Sequence, residues 1–224
     1  SKEHTSEGVA YIKEQEALKT KKLSKKLTNK RIEEKTTLIK EGKIDVFSMF
    51  DDYVLYGDSR VYGFGSYGFL PWNSVFAAAG NTILNITDFN DQVKQINPSN
   101  LYFSYGVNDM GLDLKKEGGT YADLYEEKVK EVLKIVPKAH VFINSIIPPT
   151  AETLAENPRW GKANEYNTQL KAMCEKNGWT YIDVTDDGDP KYYQADGVHF
   201  IRDIYPIWAQ KMIDATINEE EHSK

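Results

Sequence analysis

The sequence predicts an α/β protein, a three-layer α/β/α sandwich in which helices cover both faces of a five-stranded parallel sheet. After about residue 50, short apolar runs alternate with longer amphipathic ones, as strands alternate with helices in such folds. The short runs are β-branched or aromatic and are followed by turn residues. At 224 residues, with 40% hydrophobic and 28% charged residues, the chain is long enough to bury one core.

A Lys/Glu-rich extension precedes the sheet. Residues 1–48 contain no proline, and their sparse apolar residues recur at loosely helical spacing, which predicts one or two helices with Gly42 as a helix stop. We therefore divide the chain into a helical extension (1–48) and an α/β domain (49–224). Residues 1–43 hold twelve Lys/Arg against seven Asp/Glu, a balance of +5. A solvated helical face is the favoured interpretation of this charge, and contact with an anionic surface is the alternative.

The alternation of short apolar runs with longer amphipathic runs predicts the strands and helices in order along the chain. The predicted strands are Tyr53–Tyr56, Thr82–Ile86, Leu101–Tyr105, His140–Ser145 and Thr180–Val184. The predicted helices are Pro71–Ala79, Asp88–Ile96, Tyr121–Val136, Trp160–Asn177 and Ile204–Ile217. Right-handed crossovers between these strands produce the sandwich, and ligands of such sheets bind beyond the carboxyl ends of the strands.

Polar residues follow three of the predicted strands at that edge. Ser59 follows the first strand, Asn108 follows the third, and Asp196 and His199 follow the last. Each is common in turns when taken alone. Together they supply a nucleophile, an amide for a developing oxyanion, and a base with an orienting carboxylate, which is the set that acyl transfer requires.

On these residues the chain resembles the SGNH (GDSL-type) hydrolase family. Gly57-Asp58-Ser59 looks like its nucleophile block, and Gly80 looks like its glycine block, placed just before the predicted second strand. Gly106-Val107-Asn108-Asp109 and Asp196-x-x-His199 match the last two blocks. The four blocks occur in the family's order across about residues 51–217. The resemblance implies the family's flavodoxin-like sheet.

The resemblance also implies roles for these positions. Ser59 would attack the ester, His199 would shuttle the proton and Asp196 would orient His199. The backbone N–H groups of Ser59 and Gly80 and the side-chain amide of Asn108 would form the oxyanion hole.

Four further residues near Ser59 are candidate substrate contacts. Arg60 replaces the leucine of the GDSL motif, and an ion pair within the fold is its alternative role. Tyr62, Phe64 and Trp72 belong to an aromatic cluster that could stack on sugar rings, with core packing as the alternative. This cluster favours a carbohydrate ester over a long-chain lipid.

No cofactor or metal is predicted. Gly63–Gly68 satisfies Gly-x-Gly-x-x-Gly, but it starts several residues beyond the strand and is expected to be a flexible loop rather than a dinucleotide site. The histidines and the single cysteine show no metal-ligand spacing. The net charge of −6 argues against nucleic acid as a partner.

The sequence therefore predicts an esterase that removes a small acyl group, with acetyl as the first candidate, from a hydroxylated substrate such as a glycan. An O-acyltransferase and a non-catalytic carbohydrate-binding protein are the alternatives. No apolar stretch in the chain reaches the ~20 residues of a membrane span. We expect an extracellular enzyme or one tethered to the surface upstream of Ser1, with a cytoplasmic enzyme as the alternative.

Overall fold

Five parallel strands form a single sheet in the computed structural model, which describes residues 2–223, with side chains for residues 5–222. The strands are β1 (Tyr53–Gly57), β2 (Val75–Ala77), β3 (Asn100–Ser104), β4 (His140–Asn144) and β5 (Thr180–Ile182). Their order is β2-β1-β3-β4-β5, and Leu55 of β1 pairs with Val75 on one side and with Tyr102 on the other. The predicted parallel α/β fold is confirmed.

Helices connect the strands. They are α1 (Lys2–Lys40), α2 (Ser59–Ser66), α3 (Asn90–Ile96), α4 (Val107–Leu112), α5 (Tyr121–Ile135), α6 (Ala151–Glu156), α7 (Ala163–Asn177) and α8 (Ile204–Ser223). Helices α3, α5, α7 and α8 correspond to predicted helices. The predictions omitted α2, α4 and α6, which have six to eight residues each, because apolar periodicity is hard to recognise over so few residues.

The sheet is buried on both faces, as a sandwich requires. All five residues of β1 are buried. On one face the rings of Tyr56 and Phe103 stack with their centroids 4.6 Å apart. Tyr102 and Phe142 stack at 4.8 Å, and because Tyr102 precedes Phe103 in β3, this pair lies on the opposite face. Because both faces of the sheet are buried, the strand sequences are continuous apolar runs instead of alternating apolar and polar residues.

The second strand lies in a segment that was predicted to be helical. In place of the predicted helix Pro71–Ala79, a single 3₁₀ turn at Trp72–Ser74 leads into β2. The prediction was wrong because local sequence does not reveal that the edge of β1 is open for pairing. Backbone pairing with β1 outweighs the weak helical preference of these residues.

The predicted strand Thr82–Ile86 is also wrong, because Ile83–Phe89 form a 3₁₀ helix. The Thr82 hydroxyl accepts from the backbone N–H of Leu84 at 3.2 Å, and the backbone N–H of Thr82 donates to the Asn85 side chain at 3.0 Å. These reciprocal bonds form a capping box, which starts a helix where the β-branched residues alone suggest a strand. Gly80 therefore follows the second strand instead of preceding it.

The glycine-rich segment after Ser59 is helical and not the flexible loop we expected. A Cβ atom added at Gly63 would lie 1.9 Å from the hydroxyl oxygen of Tyr205, and one added at Gly65 would lie 2.6 Å from the Trp72 ring. The glycines thus let two aromatic side chains pack directly against the backbone of α2. This close packing offsets the poor helix propensity of glycine.

The chain divides into two compact units, one of which is the sandwich (Val46–Met212). The other joins α1 to the part of α8 that begins at Ile213, and within it Arg31 pairs with Glu221. The predicted extension contains one helix of 39 residues, and our domain boundary at residue 48 stays a prediction. No helix between residues 2 and 223 is both long and apolar enough to cross a membrane.

We predict that Gly63→Ala destabilises the sandwich by about 1–3 kcal/mol, because the new methyl group overpacks against the buried Tyr205 ring. Urea unfolding measures the loss. Gly111→Ala is the matched control, since its Cβ would meet neighbouring atoms only at 3.8 Å or more. Equal stability of the two variants would show that α2 and Tyr205 separate at little cost.

Candidate active site

Ser59, His199 and Asp196 form a continuous hydrogen-bonded chain at the carboxyl edge of the sheet. The Oγ of Ser59 lies 2.9 Å from Nε2 of His199, and Nδ1 of His199 lies 2.5 Å from Oδ2 of Asp196. Ser59 is the first residue of α2, and the other two lie in the loop before α8. The structure thus brings together the three residues that the sequence predicted as a triad.

The hydrogen bonds around Asp196 favour its charged form. Its Oδ1 accepts from the backbone N–H groups of Val198 and His199, each at 2.9 Å. Partial burial acts to raise the pKa of Asp196, but the bonds from the His199 ring and from these two N–H groups hold that pKa below its ordinary value. An ionised Asp196 accepts a hydrogen bond from the Nδ1–H of His199, which leaves Nε2 unprotonated to accept a hydrogen bond from the Ser59 hydroxyl.

Asn108 connects α4 to the loop that contains Gly80. Its side-chain amide donates to the backbone carbonyl of Asn81 at 2.9 Å, and Asn108 lines the same cavity as Ser59 and His199. One N–H of the amide is used in this bond, and an amide has a second to offer a ligand. Gly80 has a φ of +81°, a conformation that favours glycine. The backbone N–H of Ser59 is at the start of a helix, where no intrahelical acceptor exists.

Asp109 holds the other end of this loop. It is completely buried, and its Oδ2 accepts from the backbone N–H of Ile83 at 3.0 Å. Burial raises the pKa of Asp109 to about 7, and the hydrogen bond from Ile83 opposes part of that rise. Two consecutive residues of α4 therefore fix the segment between Gly80 and Ile83.

Arg60, predicted as a substrate contact, is buried beneath the triad. Its Nε donates to the carbonyl oxygen of Val198 at 3.0 Å and its Nη1 to that of Ile147 at 2.5 Å. The guanidinium also lies 4.4 Å from the centre of the Phe200 ring. Only 5% of the residue is exposed. This burial favours a role within the fold over a substrate contact, but the hydrogen-bond partners are backbone carbonyl groups instead of the ion-pair partner named as the alternative.

The predicted aromatic contacts separate into two groups. Phe64 is completely buried and packs edge-on against Tyr205 at 4.7 Å, so it is a core residue and not a substrate contact. Tyr62 and Trp72 are 43% and 48% exposed, and their ring centroids lie 4.7 Å apart. Neither lines the cavity that contains Ser59. A substrate contact at these two residues stays a prediction.

The cavity beside Ser59 has a volume of about 220 Å³, and six of its ten lining residues were not among the predicted site residues. The missed residues include Thr153, Glu156, Asn157 and Trp160. They follow β4, so the rule that ligands bind beyond the carboxyl ends of parallel strands pointed to this segment. The sequence itself shows no familiar motif there.

The sequence profile of the GDSL-like lipase/acylhydrolase family matches residues 55–205, a range that includes all three triad residues and Asn108. The chain belongs to this family. It is a serine hydrolase that acts on ester bonds, and the resemblance inferred from the four sequence blocks is confirmed. No curated protein matches the chain in sequence.

Several solved structures share the fold of this GDSL-family chain. A lipase/acylhydrolase from Enterococcus faecalis is 16% identical, with a TM-score of 0.57 over 76% of this chain and 97% of its own. A GDSL-like lipase from Bacteroides thetaiotaomicron is 16% identical, with a TM-score of 0.55 over 83% and 97%. A family 3 carbohydrate esterase from Clostridium thermocellum is 16% identical, with a TM-score of 0.53 over 75% and 92%.

We predict that Asp109→Asn removes a pH dependence of stability. Because the pKa of Asp109 is about 7 in the folded chain and near 3.8 without burial, the folded state binds more protons between these values. Stability from this group is therefore present at low pH and is lost as pH rises towards 7. As pH rises from about 5 to about 8, the stability of the variant relative to wild type should therefore increase. The measurement is the urea midpoint of each protein at both pH values. The exposed Asp203 provides the control Asp203→Asn; equal shifts in both variants contradict the prediction.

We predict that Arg60→Lys lowers kcat for ester hydrolysis by about 10- to 100-fold, because an ammonium cannot hold Val198 and Ile147 with one planar group. Arg202→Lys is the matched control, since Arg202 also donates to a backbone carbonyl and lies over a ring, but at an exposed position. Steady-state kinetics on p-nitrophenyl acetate test the pair. An unchanged kcat in Arg60→Lys would mean that the triad loop does not depend on this guanidinium.

Proposed function

We propose that this esterase removes a small acyl group, acetyl in the first instance, from a hydroxylated substrate such as a glycan, through an acyl-enzyme on Ser59. The observation that carries the proposal is the hydrogen-bonded chain from Ser59 through His199 to Asp196. Both ring nitrogens of His199 have partners suited to their roles, since Nε2 faces a hydroxyl and Nδ1 faces a carboxylate.

In the first half of the reaction, Ser59 Oγ attacks the carbonyl carbon of the ester while His199 Nε2 accepts the hydroxyl proton. The negative charge that develops on the carbonyl oxygen is stabilised by the N–H groups of Ser59 and Gly80 and by the Asn108 amide. His199 then donates the proton to the departing alkoxide, the C–O bond to the alcohol breaks, and the acyl group remains on Ser59.

In the second half, His199 removes a proton from a water molecule, which attacks the acyl-enzyme. Collapse of the second tetrahedral intermediate returns the proton to Ser59 and releases the carboxylic acid. Asp196 stays ionised throughout and stabilises the imidazolium that forms twice in the cycle.

Structures with this fold include a carbohydrate esterase from Clostridium thermocellum and a peptidoglycan O-acetylesterase. The latter is 16% identical, with a TM-score of 0.53 over 67% of this chain and 47% of its own. The fold therefore accommodates deacetylation of glycans, which supports the same substrate class here.

We predict that Ser59→Ala and His199→Ala each lower kcat for p-nitrophenyl acetate on the order of 10⁶-fold, since loss of a triad nucleophile or base has that effect in a serine hydrolase. Wild type should prefer the acetate to the butyrate and the octanoate. Ser66→Ala changes an exposed serine at the other end of the same helix and should leave hydrolysis unaltered.

Activity that survives in Ser59→Ala would refute the acyl-enzyme. An acceptor sugar in the same assay separates hydrolysis from transfer, because an O-acyltransferase would form an acetylated sugar in place of free acetate.

A further inference from the structure

One wall of the catalytic cavity is formed by residues 150–160, called the wall segment here. It contains α6 and a 3₁₀ turn at Pro158–Trp160. Glu156, Asn157 and Trp160 of this segment line the same cavity as Ser59 and His199. The proposed reaction gives these three side chains no role.

The wall segment is attached directly to the triad loop. The Thr153 hydroxyl donates to the backbone carbonyl of Asp196 at 3.0 Å, and the backbone N–H of Thr150 donates to the carbonyl of Gly197 at 2.9 Å. A Cβ atom at Gly197 would lie 2.0 Å from the Thr153 hydroxyl oxygen, so the two segments are in tight contact. The wall therefore has a fixed position relative to the catalytic histidine.

A second and larger cavity, of about 510 Å³, lies on the other side of the same wall. It is bounded by the start of α6 and by residues 190–197. Thr153, Glu156 and Asp196 line both cavities, so the two spaces adjoin along these residues. A substrate that extends beyond the ester group would meet this second space along these three shared residues.

The side chains along this path favour a sugar over a long acyl chain. Glu152, Glu156 and Gln194 line the larger cavity, and an alkyl chain there would remove these polar groups from water without replacing their hydrogen bonds. Hydroxyl groups can donate to the carboxylates and both donate to and accept from the amide.

Trp160 adds the flat apolar surface that a sugar ring needs. It is partly buried against the core, and the guanidinium of Arg159 lies 4.7 Å from the centre of its ring. A sugar would contact the part of the indole that lines the catalytic cavity. A pyranose presents C–H groups on its faces and hydroxyl groups at its rim. An indole beside a carboxylate and an amide matches both parts of such a ring.

We propose that the wall segment is a sugar-binding subsite, in which Trp160 stacks on the sugar that carries the ester and Glu156 and Asn157 bind its hydroxyl groups. The larger cavity then binds the neighbouring sugar unit. This inference rests on the proposed deacetylation and adds to it the residues that select the alcohol.

Acetate release from three substrates tests the subsite. Ethyl acetate occupies only the reaction centre, glucose pentaacetate adds one sugar ring, and acetylated xylo-oligosaccharides add neighbouring units. Ethyl acetate is preferable to p-nitrophenyl acetate as the reference, because a nitrophenyl ring can itself stack on Trp160.

Trp160→Ala should lower kcat/KM for glucose pentaacetate by about 10-fold relative to ethyl acetate. Trp160→Phe should retain most of the wild-type kcat/KM for glucose pentaacetate, because it keeps an aromatic ring. Glu156→Ala should show a loss of roughly 10-fold on the sugar esters, from the hydrogen bonds of one carboxylate. Glu127→Ala changes an exposed glutamate of α5, outside both cavities, and is the matched control. Glu152→Ala should affect only the oligosaccharides.

Equal losses on ethyl acetate and on the sugar esters would overturn the subsite, because they indicate that the wall only supports the triad. A selective loss in Trp72→Ala and none in Trp160→Ala would also overturn it, placing the sugar on the exposed aromatic pair.

Binding of the xylo-oligosaccharides to Ser59→Ala by calorimetry does not depend on turnover. Weaker binding after Trp160→Ala is added supports the subsite, and unchanged binding refutes it. An inert wild type with intact binding would refute the proposed deacetylation and leave the subsite standing.

Discussion

The buried guanidinium of Arg60 is the interaction on which the geometry of the site depends. Arg60 follows Ser59 in α2, and its side chain donates to the carbonyl of Val198, the residue before His199. Its second bond, to Ile147, ties the same group to the chain after β4. Burial raises the pKa of the neighbouring Asp58 above its ordinary value, against the opposing charge of Arg60. One side chain thus links the helix that begins with Ser59 to the loop that contains His199, 140 positions later in the sequence.

The residues predicted to form the oxyanion hole are connected by a second set of hydrogen bonds from one short helix, α4. Asn108 and Asp109 of α4 hold the two ends of the segment between Gly80 and Ile83 through its backbone. This arrangement keeps the carboxyl group of Asp109 in the interior, where desolvation raises its pKa to about 7. Such a destabilised group is retained in proteins when it fixes a functional loop.

The two sides of the catalytic cavity have different origins. The triad side is built from segments that the parallel sheet brings to one edge, which is why family blocks far apart in sequence meet there. The opposite side is the wall segment, a short helix and turn with no motif of its own. Rigid strands with variable connections between them allow one reaction to be used on many alcohols. The proposed subsite therefore lies in a segment that the family blocks do not include.

The sequence by itself determined the fold class, four of the five strands and the residues that meet at the site. Each of these depends on local patterns: apolar runs of strand length, and polar residues where a strand ends. It did not determine the second strand or the role of Arg60. The strand at Val75–Ala77 exists because β1 offers an open edge, and Arg60 is buried because two distant carbonyl groups accept from it. Only the tertiary structure decides such features, since the groups that stabilise them are remote in sequence.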